Sequence, residues 1–190
     1  MIKSKKEYKE YYKQDLLATG IYNKKWYNRI FDRRFKFYKS LRYTEYYYNC
    51  KNKPYHRLFK KILMIRHLKL CDKYNWTIPI NVFDKGLAIV HVGTIVVSGD
   101  AKIGKNCRIH VCTNIGNSPA KGIDGAPVIG DNVYIGPGAK IFGGIIIGNN
   151  TVIGANSVVN KSFKDGNCTI AGIPAKKISD NTSKNYINVE

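Results

Sequence analysis

Residues 128–159 read VIGDNVYIGPGAKIFGGIIIGNNTVIGANSVV. Within this stretch an aliphatic residue returns every six positions, at Ile129, Ile135, Ile141, Ile147, Ile153 and Val159. The register continues upstream through Val97, Ile103, Ile109 and Ile115, and the step from 115 to 129 is six residues plus eight more. Glycine directly follows the aliphatic residue at 104, 116, 130, 136, 148 and 154. A period of six suits neither an α-helix (about 3.6) nor one long strand (about 2), but it is the hexapeptide signature of a parallel β-solenoid. Each hexad supplies one short strand and one corner, three hexads close a triangular coil, and stacked coils bury the aliphatic column. The expected fold is mainly β, a left-handed parallel β-helix of hexapeptide repeats with an N-terminal α-helical segment.

Working outward, residues 1–75 form a basic, Tyr-rich helical segment, 76–178 the β-helix and 179–190 a polar C-terminal tail. The net charge of +19 is concentrated in the first segment, which holds 21 Lys and Arg against 6 Asp and Glu and 12 of the 14 tyrosines. A basic segment of this kind suits nucleic acid or an anionic membrane face, but the favoured reading is an amphipathic helical layer whose Lys and Arg are simply solvated. No nucleic-acid partner is expected, and peripheral membrane contact through this segment is kept as an option. No apolar run reaches the roughly 18 residues of a membrane span, and the N-terminus lacks the apolar core of a signal peptide. The five cysteines are odd in number and form no CxxC, so reduced thiols and a cytoplasmic location are expected.

The helical segment divides into four expected helices. The first covers 4–18 with Ser4 as cap and Tyr8, Tyr11, Tyr12 and Leu16 on one stripe. The second, 24–39, would turn Trp26, Ile30, Phe31, Phe35 and Tyr38 inward. A third runs over 41–49, and after Pro54 a fourth covers 55–73 through Leu58, Ile62, Ile65 and Leu68. After Val159 a short coil, a turn at Asp165-Gly166 and a strand leaving the helix axis complete the β domain, with a frayed tail beyond.

Functional residues in a solenoid gather where stacking is interrupted. The chain slips by two residues between Ile89 and Val97, at His91, and by eight between Ile115 and Ile129, where GNSPAKGIDGAP (116–127) should project from a corner. If the two interruptions share an edge, His91 lies beside the loop of its own or a neighbouring subunit. Packing around a threefold axis would bury the exposed flat faces. An imidazole in that slip can take a proton from a substrate hydroxyl near physiological pH. His110 follows Ile109 directly and is read as surface, and His56 and His67 as polar-face residues of the helices. Zinc would need three converging imidazoles, and only His91 and His110 lie in the repeats, so no metal site is expected.

The stretches HVGTIVVSGDAKIG (91–104), TNIGNS, APVIGDNVYIGPGAKIFGG (126–144), NNTVIGANSVV (149–159) and AGIPAKKI (171–178) resemble the serine O-acetyltransferase family of hexapeptide acyltransferases. The resemblance covers about 78–178. It implies homotrimers that use acetyl-CoA as cosubstrate at sites between subunits. It implies His91 as the catalytic base, and it implies acetyl-CoA contacts from Pro137, Ala139, Ala155, Lys161 and Lys176, with Asp124 in the acceptor loop.

The chain departs from the family on the acceptor side. The family's aspartate before the histidine is Val90, and its histidine-orienting aspartate aligns with Trp76. Where the family reads DRHP this chain has DGAP (124–127), with Gly125 and Ala126 replacing Arg and His. Four lost charged or polar groups at about 1.5–3 kcal/mol each would weaken the hold on a zwitterion. The expected reaction is acetyl transfer to an acceptor hydroxyl, of a sugar or surface-glycan precursor. The alternatives are true serine acetylation, with Asp124 and Asp84 serving the ammonium, and a non-catalytic solenoid with a nucleic-acid-binding segment.

Overall fold

The computed structural model describes residues 1–120 and 122–187. Lys121 in the loop, and Asn188, Val189 and Glu190 at the end of the expected tail, lie outside the described residues. Four helices come first: α1 (Lys5–Ala18), α2 (Trp26–Phe31), α3 (Arg33–Cys50) and α4 (His56–Tyr74). Short strands follow: β1 (Trp76–Thr77), β2 (Ala88–Ile89), β3 (Ile95–Val97), β4 (Lys102–Ile103), β5 (Arg108–Ile109), β6 (Thr113–Gly116) and β7 (Val128–Ile129). The series continues with β8 (Tyr134–Ile135), β9 (Lys140–Phe142), β10 (Ile146–Ile147), β11 (Val152–Ile153), β12 (Val158–Val159), β13 (Thr169–Gly172) and β14 (Ala175–Ser179).

The strands form three faces of a left-handed β-helix. Sheet I runs β1-β3-β6-β9-β12, sheet II runs β4-β7-β10, and sheet III runs β2-β5-β8-β11-β13-β14. All pairings are parallel except β13 with β14. The six-residue column sets the register, with Ile109 opposite Ile135, Ile135 opposite Ile153 and Ile115 opposite Ile141. All ten column residues are buried, and burying each such side chain contributes about 1.5–3 kcal/mol. At the II–III edge the chain turns through Asn106, Asn132, Asn150 and Asn167 at positive φ, a conformation Asn tolerates better than most residues. Their amides form a ladder with steps of 2.9, 3.0 and 2.9 Å. The glycines of the hexads allow this close stacking, since a Cβ on Gly104 would meet the Gly130 carbonyl oxygen at 2.7 Å.

A stacked coil leaves open backbone groups at its end, and buried ones need partners. Helical side chains supply them at the first coil. Asp15 accepts from the Gly86 and Leu87 amides, both at 2.9 Å. Arg42 donates to the Phe83 and Asp84 carbonyls at 2.9 and 2.8 Å, and the Asn81 amide donates to Glu45 at 2.8 Å. The Ile89 amide donates to the Tyr38 hydroxyl at 2.8 Å. Arg42 is fully buried between Asp15 (2.7 Å) and Glu45 (2.9 Å). Burial opposes its charge, but the two carboxylates outweigh it and hold its pKa above the usual range.

The helical layer corrects several sequence expectations. Ser4 does cap α1, its Oγ accepting from the Glu7 amide at 3.1 Å. The expected helix at 24–39 is broken at Asp32, which is extended and accepts from the Arg34 amide at 3.0 Å, thereby starting α3. α3 then runs through the expected third helix without a break. Of the stripe meant to turn inward, Tyr38 is buried and Phe35 partly so, whereas Trp26 and Phe31 are 72% and 84% exposed. On α4 the inward face is Leu63, His67, Cys71 and Tyr74, while the expected stripe of Leu58, Ile62, Ile65 and Leu68 faces outward. The helix carries two stripes, and the one that docks also meets the strand chemistry. His67 Nε2 bonds the Ile78 carbonyl at 2.9 Å, and Tyr74 packs 5.1 Å from Trp76. His67 is therefore a buried neutral imidazole rather than a polar-face residue, with burial holding its pKa below the ordinary value.

At the far end β14 turns antiparallel to β13, as the departing strand required. The described part of the tail is not frayed. Ser183 donates through its hydroxyl to the Asn132 carbonyl and through its amide to the Asn150 carbonyl. The Tyr186 ring sits 4.6 Å from Tyr134, and Ile187 is buried.

Candidate active site

The triangular cross-section decides which residues can meet. The III–I edge joins β2 to β3, β5 to β6, β8 to β9 and β11 to β12. His91 occupies its first corner, Pro137 and Ala139 its third, and Ala155 its fourth. Lys176 follows the β13–β14 turn at the same end of sheet III. Pro137, Ala155 and Lys176 are exposed along this edge, whereas Ala139 is fully buried and offers a ligand only its backbone. The I–II edge lies across sheet I. It carries loop 116–127 with Asp124, and also Lys161, which follows β12. His91 and the loop therefore do not share an edge of one chain, and Lys161 does not join Pro137 and Ala155.

The loop is anchored to the next coil. Ser118 and Gly125 exchange two backbone hydrogen bonds of 3.0 Å, and the Gly144 amide donates to the Ile123 carbonyl at 2.8 Å. A Cβ on Gly144 would collide with the Asp124 carbonyl oxygen, so the glycine pair in IFGG is the seat on which the loop rests. Asp124 itself is exposed at the edge.

Around His91 the helical layer holds the preceding strand. Arg34, clamped by Asp32 at 2.9 and 3.0 Å, donates to the carbonyls of Ile89 (3.2 Å) and Val90 (3.1 Å). Asp32 is held at about 2: burial raises it, but hydrogen bonds from Arg34 and Lys24 more than offset that. His91 is exposed in the single chain, so any apolar cleft around it must be completed by another surface. Its ring lies 6.3 Å from His110, which lies 5.1 Å from Tyr134.

His110 is half-buried, not a free surface residue. Its Nε2 is buried without a partner. Burial first, then the charges of Arg108 and His91, holds its pKa below the ordinary histidine value. A signal for this pair was present in the sequence: pairing Ile89 with Ile109 brings His91, two residues after the one, and His110, directly after the other, to the same corner.

One of the positions that lost an acid is taken up by packing, and one of the two acids expected to serve an ammonium lies elsewhere. Trp76, where the family pattern has its orienting aspartate, is buried in sheet I with its ring 4.7 Å from Phe37. Asp84 sits at the II–III edge, where its carboxylate accepts from the Lys85 amide at 2.7 Å. It is remote from the III–I edge and does not serve an ammonium beside His91. Among the described residues no three His, Cys, Asp or Glu side chains converge as metal ligands.

Comparison with known proteins agrees with this architecture. Residues 126–161 match the family model for the bacterial transferase hexapeptide (six repeats). No curated protein matches the chain in sequence. Among solved structures, a serine acetyltransferase in complex with cysteine is 25% identical, with a TM-score of 0.72, covering 92% of this chain and 71% of that one. The Neisseria gonorrhoeae serine acetyltransferase in complex with serine is 25% identical, with a TM-score of 0.69 over 93% and 71% of the two chains. A serine acetyltransferase in complex with CoA, 22% identical, has the same fold, with a TM-score of 0.69 over 92% and 71%. With its three-faced solenoid, its loop at the I–II edge and these neighbours, the chain carries the bacterial transferase hexapeptide over 126–161 and shares the architecture of the serine acetyltransferases.

Proposed function

We propose that the protein is an acetyl-CoA-dependent O-acetyltransferase acting on a sugar hydroxyl, such as that of a surface-glycan precursor, at sites between the subunits of a homotrimer. One observation carries the reading: His91, Pro137 and Ala155 lie on one edge of sheet I, while Asp124 and Lys161 lie on the other. A site using both sets needs the III–I edge of one subunit against the I–II edge of its neighbour, which a threefold arrangement provides. The serine acetyltransferases solved with serine and with CoA support the reaction class.

In this mechanism the His91 imidazole takes the proton of the acceptor hydroxyl as its oxygen attacks the thioester carbonyl. The carbon–sulfur bond then breaks, the CoA thiolate departs, and the imidazolium returns the proton to sulfur. Arg34 acts through the backbone, fixing the carbonyls of the two residues before His91. With Val90, Trp76, Gly125 and Ala126 in place of charged or polar groups, little remains to grip free serine, and we assign the acceptor to sugars on that ground. Five free thiols fit a reducing cytoplasm. The exposed groove between α2–α3 and α4, with Ile62 and Ile65 rimmed by Lys36, Lys39, Lys69 and Lys73, supports peripheral contact with an acidic bilayer.

The test is thiol release from acetyl-CoA with serine and a panel of sugars and nucleotide-sugars. His91→Ala should lower turnover by about a hundred- to ten-thousandfold and leave acetyl-CoA affinity unchanged. Turnover with serine alone would instead make the chain a serine acetyltransferase. Equal loss of CoA affinity in His91→Ala would make His91 a ligand-holding residue.

A further inference from the structure

A cavity opens along the strand that leads to His91, on the outer face of sheet III under the end of α1. It measures about 520 Å³, within the range of small-molecule sites. Its walls include Val90, the residue before His91, and four cations, Arg34, Lys85, Lys105 and Arg108, with no carboxylate among them. Lys85 is paired with Glu10, and Arg34 with Asp32. Lys105 and Arg108 have no ion pair among the described residues. Arg108 is two residues before His110, and on a strand residues two apart share a face, so the basic wall runs directly toward the histidine pair.

Resting on the O-acetyltransferase reading, we propose that this cleft binds the phosphate of the acceptor, so that the substrate is a sugar carrying a phosphate or diphosphate and not a neutral sugar or an amino acid. Two cations without an ion pair, Lys105 and Arg108, in a wall that carries no carboxylate, attract an anion and disfavour an ammonium. A half-buried guanidinium beside an exposed ammonium is a matched pair for phosphate oxygens, Arg supplying the fork and Lys the point charge. The position separates acceptor from donor. Pro137 and Ala155, the residues associated with acetyl-CoA, lie two and three coils further along the III–I edge, while the cleft lies at the first two coils. An acceptor anchored there reaches His91 from the side opposite the cosubstrate.

The probe is inorganic pyrophosphate, titrated against thermal unfolding of the full-length protein with CoA already saturating, so that the cosubstrate's own phosphate contacts are filled. Pyrophosphate should raise the melting temperature of the wild type and not that of Lys105→Gln combined with Arg108→Gln, while the shift given by CoA stays equal in both. With a sugar phosphate as acceptor, the same variant should raise KM at least about tenfold with kcat little changed. No pyrophosphate shift in the wild type, or an equal shift in the variant, overturns the assignment. So does an equal loss of the CoA shift, which would give the cleft to the cosubstrate. If pyrophosphate behaves as expected but no hydroxyl compound releases thiol, the anion site stands and the O-acetyl transfer reading fails.

Discussion

Along the solenoid, Ile109, Ile135 and Ile153 stack coil on coil in the core, each taking the same place in its own coil. In the helical layer the largest fully buried side chain is Arg42, gripped by two carboxylates and two carbonyls that occur once in the molecule. One region is stabilised by repetition and the other by a single polar network at the end of the repeat. The solenoid offers regular edges interrupted by the loop at 116–127, and at its first coil the layer adds charged groups such as Arg34 and Asp32.

The sharpest way to break the comparison is Arg42→Ala. Removing one partner of a buried ion pair costs about 3–5 kcal/mol because charges are left uncompensated, and here the Phe83 and Asp84 carbonyls lose donors as well. Urea unfolding should show a loss of that size. A loss under about 1 kcal/mol would mean that apolar packing between layer and solenoid, not the network, closes the first coil.

How far the sequence revealed each region follows the same division. A six-residue repeat imposes its pairing register, so the buried column, the three faces and the projecting loop were readable from Ile and Gly spacing alone. The slip at His91 was readable because a break in a strict repeat is visible. Which edge each feature occupies was not, since it depends on counting corners in three dimensions: Asp124 and Lys161 fall across sheet I from His91. The layer had no repeat to calibrate against. α4 carries two apolar stripes, and only the strand chemistry at Ile78 and Trp76 selects between them. Arg34, Arg42 and Asp15 looked like any other charges in a +15 segment (21 cations less 6 anions).

A smaller effect tests whether the layer's docked stripe is held by a polar contact. His67 is kept neutral by burial, so its pKa in the folded chain lies below the value of about 6.5 expected when unfolded. Its contribution is complete above that value and is lost as pH falls through the window between the unfolded and folded pKa values, because the unfolded chain then binds the proton more readily. His67→Gln should cost about 0.5–1.5 kcal/mol at pH 7.5 through the weakened bond to Ile78, and the gap in melting temperature between wild type and variant should narrow toward pH 5.5. A gap that is constant with pH would show that the imidazole is solvated in solution.

The smallest expected effect on stability belongs to the outward stripe. Ile62→Asp with Ile65→Asp should change unfolding by no more than about 0.5 kcal/mol, since both side chains are exposed. The same double variant should abolish cosedimentation with vesicles containing acidic phospholipid, to which the wild type should bind in a salt-sensitive manner. A second copy of the chain is a poorer occupant on electrostatic grounds. A twofold contact would set Lys36, Lys39, Lys69 and Lys73 against the same four residues, and like charges brought together across an interface cost several kcal/mol. Sedimentation velocity decides between the two. If the variant assembly has half the wild-type mass and the wild type ignores vesicles, the stripe is a subunit interface, and its lysines must then be neutralised by acidic groups of the facing subunit.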